Sequence, residues 1–220
     1  MPDPLEGAGL AVDVQDVSKR YGRRWALAHV SLQLRPGDSL LLTGHNGSGK
    51  TTLLKVLSTT IAPSLGAVKV FGSDAKVDRE AIRRRVALLS HANYLYEDLS
   101  AEQNLRLLAR LLGDDAQAQV PTLLDKVGLK ARAAHAVREF SAGMRKRLAV
   151  ARLLLKRPQL ALLDEPFGEL DPAGIAQMEG IIRDLKTGGT TLVLATHLVE
   201  QGQALCSRRL HLSEGRVAQQ

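Results

Sequence analysis

Hydrophobic and polar positions follow two different periods along the chain, and the changes between them predict the order of elements. Residues 30–34 alternate apolar and polar side chains, which is typical of a strand with one buried face. Residues 40–42 form a short continuous apolar run, as expected for a strand buried on both faces of a parallel sheet. Leucines at helical spacing follow from position 53. The pattern therefore predicts a strand, a turn and a helix in that order.

The rest of the chain continues this alternation. Further strands are predicted at residues 10–14, 67–72, 86–89, 160–163 and 191–195, and a helix is predicted from Pro172 to about Lys186. Helix-forming residues with helical leucine spacing fill the stretch from 101 to 157. Glycine, aspartate and proline predict breaks in it, near residues 113–115, 121 and 128. Alternating strands and helices favour an α/β fold.

Composition narrows the class of protein without identifying it. Hydrophobic residues make up 45% of the chain and charged residues 24%, which excludes disordered and fibrous classes. Aromatic residues are only 3%, too few for the stacking platforms that bind single-stranded nucleic acid, so no nucleic-acid partner is expected. The net charge of +7 favours an anionic ligand or surface.

Cysteine content and hydropathy bear on the compartment. Cys206 is the single cysteine and cannot form an internal disulfide, and no secretory signal pattern opens the sequence. We therefore expect a reducing, cytosolic setting. No apolar stretch approaches the roughly 20 residues that cross a bilayer, so a membrane role would require a separate membrane subunit.

The segment between the apolar run at 40–42 and the following helix matches a phosphate-binding motif. Residues 44–51 read Gly-His-Asn-Gly-Ser-Gly-Lys-Thr, which fits G-x-x-x-x-G-K-[ST]. Glycines let backbone N–H groups surround phosphate oxygens, and the helix N-terminus adds its dipole. Lys50 would neutralise phosphate charge, and the Thr51 hydroxyl would ligate Mg²⁺. The alternative is a glycine-rich turn that opens an ordinary helix. The predicted nucleotide-contacting residues are Gly44, His45, Asn46, Gly47, Ser48, Gly49, Lys50, Thr51 and Thr52.

A second predicted buried strand ends in a pair of carboxylates, Asp164 and Glu165. Asp164 would hold Mg²⁺ through water, and Glu165 would orient or deprotonate an attacking water molecule. The alternative is a strand end followed by an acidic turn. In combination with the phosphate loop, this pair predicts a site that hydrolyses a nucleotide, with Lys50 and Glu165 as catalytic residues.

A third motif distinguishes among nucleotide hydrolases. Residues 140–147 read Phe-Ser-Ala-Gly-Met-Arg-Lys-Arg and open an amphipathic helix about twenty residues before Asp164. Here the chain resembles the ATP-binding cassette (ABC) ATPase family, whose signature is L-S-G-G-Q, and the resemblance covers essentially the whole chain. It implies an α/β P-loop NTPase fold of the ABC type, with a mixed sheet core, an antiparallel β edge and a helical subdomain at about 92–157. Residues 1–220 would form a single nucleotide-binding domain.

The resemblance also implies roles for residues outside these motifs. Ser141 and Gly143 would contact the γ-phosphate of ATP bound to the opposite protomer, and Tyr21 would stack on adenine. Asp171 would help to link the two composite sites, and His197 would bind the γ-phosphate as a catalytic residue. Structural alternatives are a strand-end tyrosine that is half buried and helix N-caps at Ser141 and Asp171.

The chain departs from the family pattern at several places. Phe140, Ala142 and Met144 replace the Leu, Gly and Gln of the signature. His91 stands where the family has a glutamine, so we expect an imidazole near the Mg²⁺ and water, with a charge that can change near neutral pH. The alternative is a loop histidine that does not contact the nucleotide.

The resemblance implies the ATP-binding and ATP-hydrolysing subunit of an ABC transporter, with ATP and Mg²⁺ as cofactors. Its partners would be an integral membrane permease subunit and a second cassette, identical or different. The chain would lie peripherally on the cytoplasmic face of the bacterial inner (cell) membrane. The residues around His91 are similar to the haem exporters of cytochrome c maturation, which implies haem as a cargo. Alternatives are drug, lipid or ion efflux, a non-transport cassette ATPase and a regulatory nucleotide-binding module.

Three basic runs, at residues 83–85, 145–147 and 208–209, are interpreted as solvated faces. The alternative is contact with anionic headgroups or with acidic loops of a membrane partner.

Overall fold

The computed structural model describes residues 9–90 and 94–218. The strands are β1 (Val12–Tyr21), β2 (Arg24–Leu34), β3 (Ser39–Thr43), β4 (Leu65–Val70), β5 (Ser73–Asp74), β6 (Val86–Leu89), β7 (Leu160–Asp164), β8 (Thr191–Ala195), β9 (Arg208–Ser213) and β10 (Arg216–Val217). The helices are α1 (Lys50–Leu57), α2 (Arg79–Arg85), α3 (Ala101–Leu112), α4 (Asp114–Lys126), α5 (Ala142–Leu155), α6 (Pro172–Thr187) and α7 (Val199–Leu205).

The strands form two sheets. One sheet has the order β2-β1-β4-β5, and its pairs are antiparallel. The other has the order β10-β9-β3-β8-β7-β6, in which β10 pairs antiparallel to β9 and the remaining pairs are parallel. The predicted mixed α/β core with antiparallel edges is therefore confirmed.

The central strands β3, β7 and β8 are buried along their whole length. Alternate residues point to opposite faces of the sheet. Leu41 and Leu163 belong to a cluster that includes residues of α3 to α7, whereas Leu42 and Leu162 belong to a cluster with α1 and the antiparallel sheet. Because both faces are covered, these strands need continuous apolar sequence, which is why they could be predicted.

Helices α3, α4 and α5 lie between β6 and β7 in the chain and pack on one another. The capping box at Ser100 and Gln103 fixes the start of α3. The predicted breaks near Gly113 and Gly128 are confirmed, because α3 ends before Gly113 and α4 ends before Gly128. The break predicted at Pro121 is wrong: α4 continues through it. A proline removes one helical hydrogen bond, but the buried residues around it keep α4 packed on its neighbours.

Strand bulges explain where the predicted boundaries differ from the structure. β1 extends to Tyr21, beyond the predicted end at residue 14, because its register shifts between Val14 and Val17 and Asp16 adopts a φ of 50°. A bulge interrupts the alternation on which the prediction depended. His29 in β2 also has a positive φ, and its Nδ1 lies 2.7 Å from Asp16 Oδ1. The short elements β5, α2, α7, β9 and β10 were not predicted.

Among residues 9–90 and 94–218, no helix combines the length and the apolar character that a membrane span requires.

Candidate functional site

The glycine-rich loop between β3 and α1 is pressed against neighbouring backbone. Gly44 has a φ of 144° and Gly49 a φ of 107°, both in the region that favours glycine. A Cβ added to Gly44 would lie 2.2 Å from the Leu212 carbonyl oxygen, and one added to Gly49 would lie 2.5 Å from the Ala26 carbonyl oxygen. Only glycine fits at these two positions, so the path of the loop dictates its sequence.

The hairpin of β9 and β10 supports this loop from behind. The backbone N–H of Gly215 donates to the Ser48 carbonyl at 3.0 Å, and the Ala28 N–H donates to the Gly215 carbonyl at 2.8 Å. The hairpin therefore joins the loop to β2. This support was missed by the sequence analysis, because β9 begins with charged residues.

Lys50 and Ser48 give the loop its polar interior. The Lys50 ammonium donates to the carbonyls of Gly44 at 2.7 Å and His45 at 3.1 Å, and the residue is only 8% exposed. An ammonium has three donors, so one can still reach an anion. The Ser48 hydroxyl oxygen is buried and has no partner among the described residues. Since the first N–H groups of α1 also lack helical acceptors, the loop fits a phosphate group.

The end of β7 meets the start of α1. The Thr51 hydroxyl donates to Asp164 Oδ2 at 2.7 Å, and Asp164 is 2% exposed. This contact joins two motifs that are 113 residues apart in the chain. Among the described residues, no group of three or more His, Cys, Asp and Glu could hold a metal ion. The hydroxyl and the carboxylate are oxygen ligands suited to Mg²⁺, which takes its remaining ligands from phosphate and water.

Glu165 lies next to Asp164 and faces His197. Its Oε2 lies 2.8 Å from His197 Nδ1 and accepts the His197 backbone N–H at 3.3 Å. The carboxylate side chain is 15% exposed, whereas the imidazole is 68% exposed. Glu165 also adopts a φ of 49°, a left-handed conformation that non-glycine residues seldom take. The pair therefore sets a carboxylate and an imidazole side by side at the end of the buried strands.

A cavity of about 440 Å³ lies beside the loop, and its lining does not include Gly44, His45, Ser48 or His197. Of the predicted site residues, it is lined by Tyr21, Asn46, Gly47, Gly49, Lys50, Thr51, Thr52, Asp164 and Glu165. The Tyr21 side chain stands at the end of β1 and is 51% exposed, as the strand-end alternative expects, and the Lys19 ammonium lies 5.3 Å from the centroid of its ring. Arg24, the first residue of β2, also lines the cavity. The sequence analysis did not single it out, although another arginine, Arg23, directly precedes it.

Ser141, Gly143 and Asp171 lie in a different cavity, of about 480 Å³. Both predicted N-caps are confirmed: Ser141 Oγ accepts the Met144 N–H at 3.2 Å, and Asp171 Oδ1 accepts the Gly174 N–H at 2.9 Å. The first cavity contains none of these three predicted residues. Within one chain, the signature residues therefore do not meet the phosphate loop.

His91 lies outside the described residues, so its predicted contact with metal or water has no structural account. A larger cavity, of about 640 Å³, is lined by residues such as Phe71, Leu154 and Leu185 and contains none of the predicted site residues. Size alone therefore does not locate the site.

The basic runs are not simply solvated faces. Arg83 donates to the Thr59 carbonyl at 3.0 Å, and Arg208 donates to Asp38 at 2.8 Å, although the latter arginine remains about half exposed. For Lys146 the interpretation is wrong, because this residue is 1% exposed. Burial lowers the pKa of Lys146, and the negative charges of Glu169, Asp164 and Glu165 partly oppose that shift.

Comparison with known sequences gives a consistent result. The sequence model of the ABC transporter family matches residues 27–168. The daunorubicin resistance ATP-binding protein of Streptomyces coeruleorubidus is 39% identical over 213 residues, which cover 96% of this chain and 67% of that protein. The Nod factor export ATP-binding protein I of Burkholderia thailandensis is 36% identical over 93% of this chain and 68% of its own length. The bacitracin transport ATP-binding protein of Bacillus licheniformis is 31% identical over 95% and 69%.

Solved structures share the fold. A structure described as the ATP-binding subunit of an ABC transporter superposes with a TM-score of 0.87 at 30% identity, over 94% of this chain and 88% of that one. A dimeric, post-hydrolysis state of an ATP-binding cassette bound to ADP and Pi superposes with a TM-score of 0.88 at 24% identity, over 94% and 97%.

Proposed function

Because the chain belongs to the ABC transporter family of ATP-binding cassette ATPases, we propose that it is the motor subunit of an exporter, which hydrolyses ATP to drive a separate membrane subunit. One observation carries the proposal for this chain. The glycine loop, Lys50, the hydrogen-bonded pair Thr51 and Asp164, and Glu165 all line one cavity. This set can bind a triphosphate, hold a divalent cation and activate water at a single place.

The residues present fit ATP together with Mg²⁺. The orphaned hydroxyl of Ser48 and the glycine positions that exclude a Cβ form a cradle for phosphate oxygens. Thr51 and Asp164 would hold Mg²⁺, directly or through water, and we also assign His91 to this cluster. When bound, the metal ion neutralises phosphate charge.

The side chains around the cradle take separate tasks in hydrolysis. Lys50 balances the negative charge of the β- and γ-phosphates, and Tyr21 stacks on adenine. Glu165 accepts a proton from the attacking water. His197, whose Nδ1 lies 2.8 Å from the Glu165 carboxylate, binds the γ-phosphate. The largely buried Glu165 and the exposed imidazole of His197 suit these two tasks, because a base benefits from a shielded position and a phosphate contact must face the ligand.

A second cassette completes each site in this proposal. Ser141 and Gly143 would bind the γ-phosphate of ATP held by the partner, and Asp171 would link the two sites. Their separation from the phosphate loop within one chain supports this arrangement. A dimeric cassette of the same fold provides a precedent. The partner would be a second copy of this chain or a different cassette.

We further propose that residues 1–220 form one nucleotide-binding domain, with a helical subdomain at about 92–157 that contains α3, α4 and α5. The chain would sit peripherally at the cytoplasmic face of the bacterial cell membrane, bound to an integral permease subunit.

The cargo is proposed from the relatives. They are named for daunorubicin resistance, Nod factor export and bacitracin transport, which favours export of a drug, an antibiotic or a Nod factor. Haem export, predicted from the residues around His91, is not carried forward, because none of these relatives is named for haem.

A variant of the catalytic carboxylate tests the ATPase site. In Glu165→Gln, the side-chain oxygen can still face His197 but the general base is lost. We expect hydrolysis to fall by a factor of about 100 or more, with ATP retained in a stable dimer that light scattering detects. Glu200→Gln, on the exposed start of α7, is the matched control and should resemble the wild type. Unchanged hydrolysis in Glu165→Gln would remove the assignment of the general base.

Purification from membranes tests the transport role. The tagged full chain, extracted from its own host in mild detergent, should bring an integral membrane protein with it. In proteoliposomes, that complex should hydrolyse ATP faster with daunorubicin than with haem. A chain recovered without a membrane protein, or with ATPase activity stimulated by DNA or RNA, would contradict the proposal.

A further inference from the structure

A buried lysine connects α5 to the segment that carries Glu165. The Lys146 ammonium donates to the main-chain carbonyl oxygen of Glu165 at 3.1 Å, and the whole residue is 1% exposed. Lysine is almost never fully buried without a partner, because removing its charge from water is costly. That cost is reflected in the lowered pKa of Lys146. A lysine retained at this place therefore calls for an explanation beyond packing.

The carbonyl that Lys146 contacts belongs to a residue with unusual backbone geometry. Glu165 has a φ of 49°, in the left-handed region where the Cβ of a non-glycine residue crowds the following carbonyl oxygen. Its N–H donates to the Ala195 carbonyl at 2.8 Å. The Glu165 carbonyl oxygen also accepts the Gly168 N–H at 3.2 Å, so the backbone of Glu165 is held by β8, by α5 and by the turn that follows it. The carboxylate of the same residue faces His197, with its Oε2 2.8 Å from the imidazole Nδ1.

Lys146 is part of a row of contacts on one face of α5. A Cβ on Gly143 would lie 2.8 Å from the Glu169 carbonyl oxygen, and Arg147 Nη2 donates to Asp171 Oδ1 at 3.3 Å. Positions 143, 146 and 147 share a helix face because they are three and four residues apart. The segment between β7 and α6 therefore lies along α5 at three successive points. Of these contacts, only that of Lys146 reaches Glu165.

We propose that Lys146 is a positioning residue for Glu165. Its charged hydrogen bond holds the left-handed backbone of Glu165, aims the carboxylate into the nucleotide cavity and couples it to the helix that begins at the signature residues. The inference rests on the proposed role of Glu165 as general base. A displacement of about 1 Å at such a group can reduce turnover by about a factor of 100.

A purely structural role would give a different pattern in Lys146→Met. Methionine is unbranched and flexible, so it can occupy the space without a charge or a donor. Removal of this charge leaves the carboxylates of Asp164, Glu165 and Glu169 without its compensation, so the melting temperature of Lys146→Met should fall in either case. If Lys146 positions Glu165, kcat should fall while KM and the affinity for ATP stay near the wild-type values. If Lys146 only supports the fold, then kcat, ATP affinity and melting temperature should fall together.

The experiment compares full-length variants in ATP hydrolysis, binding of a fluorescent ATP analogue and thermal unfolding. For Lys146→Met we expect kcat to fall by about a factor of 10, with KM and the analogue's Kd within about twofold of the wild type. Lys146→Arg keeps a charged donor and should recover most of the lost kcat. Lys156→Met is the matched control, since Lys156 also has a pKa lowered by burial and donates to a main-chain carbonyl, that of Val86 at 2.7 Å. It should leave kcat unchanged.

The inference is overturned if Lys146→Met keeps kcat within about twofold of the wild type, if kcat, affinity and melting temperature decline in parallel, or if Lys146→Arg is as impaired as Lys146→Met. Should Lys146→Met not fold, Lys146→Gln replaces it. Its shorter, neutral side chain loses the charged contact, so a wild-type kcat there would also overturn the inference. If Glu165→Gln hydrolyses ATP as fast as the wild type, the proposed catalytic site is wrong instead. This measurement separates the failure of the catalytic site from the failure of the role of Lys146.

Discussion

Gly44→Ala probes how closely the phosphate loop approaches the hairpin behind it. The new Cβ would lie 2.2 Å from the Leu212 carbonyl oxygen and 2.6 Å from Ser48 Oγ, at a φ of 144°. Two other glycines separate the contributions. Gly189 has a φ of 82° but open space around its missing Cβ, whereas Gly180, within α6, has open space and no positive φ.

The three substitutions should differ in size and sign. Gly180→Ala should raise the free energy of unfolding by about 0.5–1 kcal/mol, because alanine favours the helix and restricts the unfolded chain. Gly189→Ala should lower it by about 1–2 kcal/mol, from backbone strain alone. Gly44→Ala adds a clash with backbone, and overpacking costs about 1–3 kcal/mol more, so its total should be about 2–5 kcal/mol.

Urea unfolding of the full chain measures these differences, and the m-values show whether the unfolding transition stays comparable. The measurement is then repeated with ATP and Mg²⁺. At a ligand concentration of 100 times Kd, binding to the folded state alone adds about 2.7 kcal/mol. The wild type and both control variants should gain this amount, and Gly44→Ala should gain far less because its loop must move.

Two outcomes would contradict this account of the loop. If Gly44→Ala costs no more than Gly189→Ala, the loop does not press on the Leu212 carbonyl. If Gly44→Ala gains the full stabilisation by ATP, the shape of the loop at this glycine is not needed for binding.

The N-caps of α3 and α5 and the buried cysteine can be tested in the same way. Ser141→Ala and Ser100→Ala each remove a helix N-cap, so each should cost about 1 kcal/mol of stability, but only Ser141→Ala should abolish ATP-dependent dimerisation, as scattering would detect. Equal dimerisation in both variants would contradict the role of Ser141. Burial raises the pKa of Cys206 from 9.0 to about 11. Between these two pKa values the folded state keeps a proton on Cys206 that the unfolded state loses. The contribution of the protonated thiol to the free energy of unfolding is therefore fully present below pH 9 and is lost as the pH rises to about 11. Cys206→Ala should lose less stability than the wild type over that range in urea unfolding, and equal losses would contradict the assignment.

Much of the parallel sheet and of the phosphate site could be predicted, because both depend on local sequence. Strands β6 and β8 begin and end where the apolar runs do, since a strand covered on both faces tolerates few polar residues. The glycines of the loop and the pair at Asp164 and Glu165 are constrained by backbone shape and by charge within a few residues.

What could not be predicted depends on distant contacts. The burial of Lys146 was missed because the arginines on either side of it suggest a solvated helix face. Its acceptor is a carbonyl 19 residues away, on a segment whose path the sequence does not reveal. Arg24 was missed for a similar reason, because it enters the site through the antiparallel sheet and not through the phosphate motif.

The hairpin formed by β9 and β10 has a consequence for biosynthesis. The phosphate loop is translated early, at residues 44–49, but the backbone that closes its rear side lies at residues 208–217. A nascent chain on the ribosome therefore carries the motif long before the pocket is complete, so ATP cannot template the early stages of its folding. Nucleotide capture should begin only after the hairpin has emerged and docked, so a ribosome-stalled chain that stops before residue 208 should not be retained on ATP-agarose.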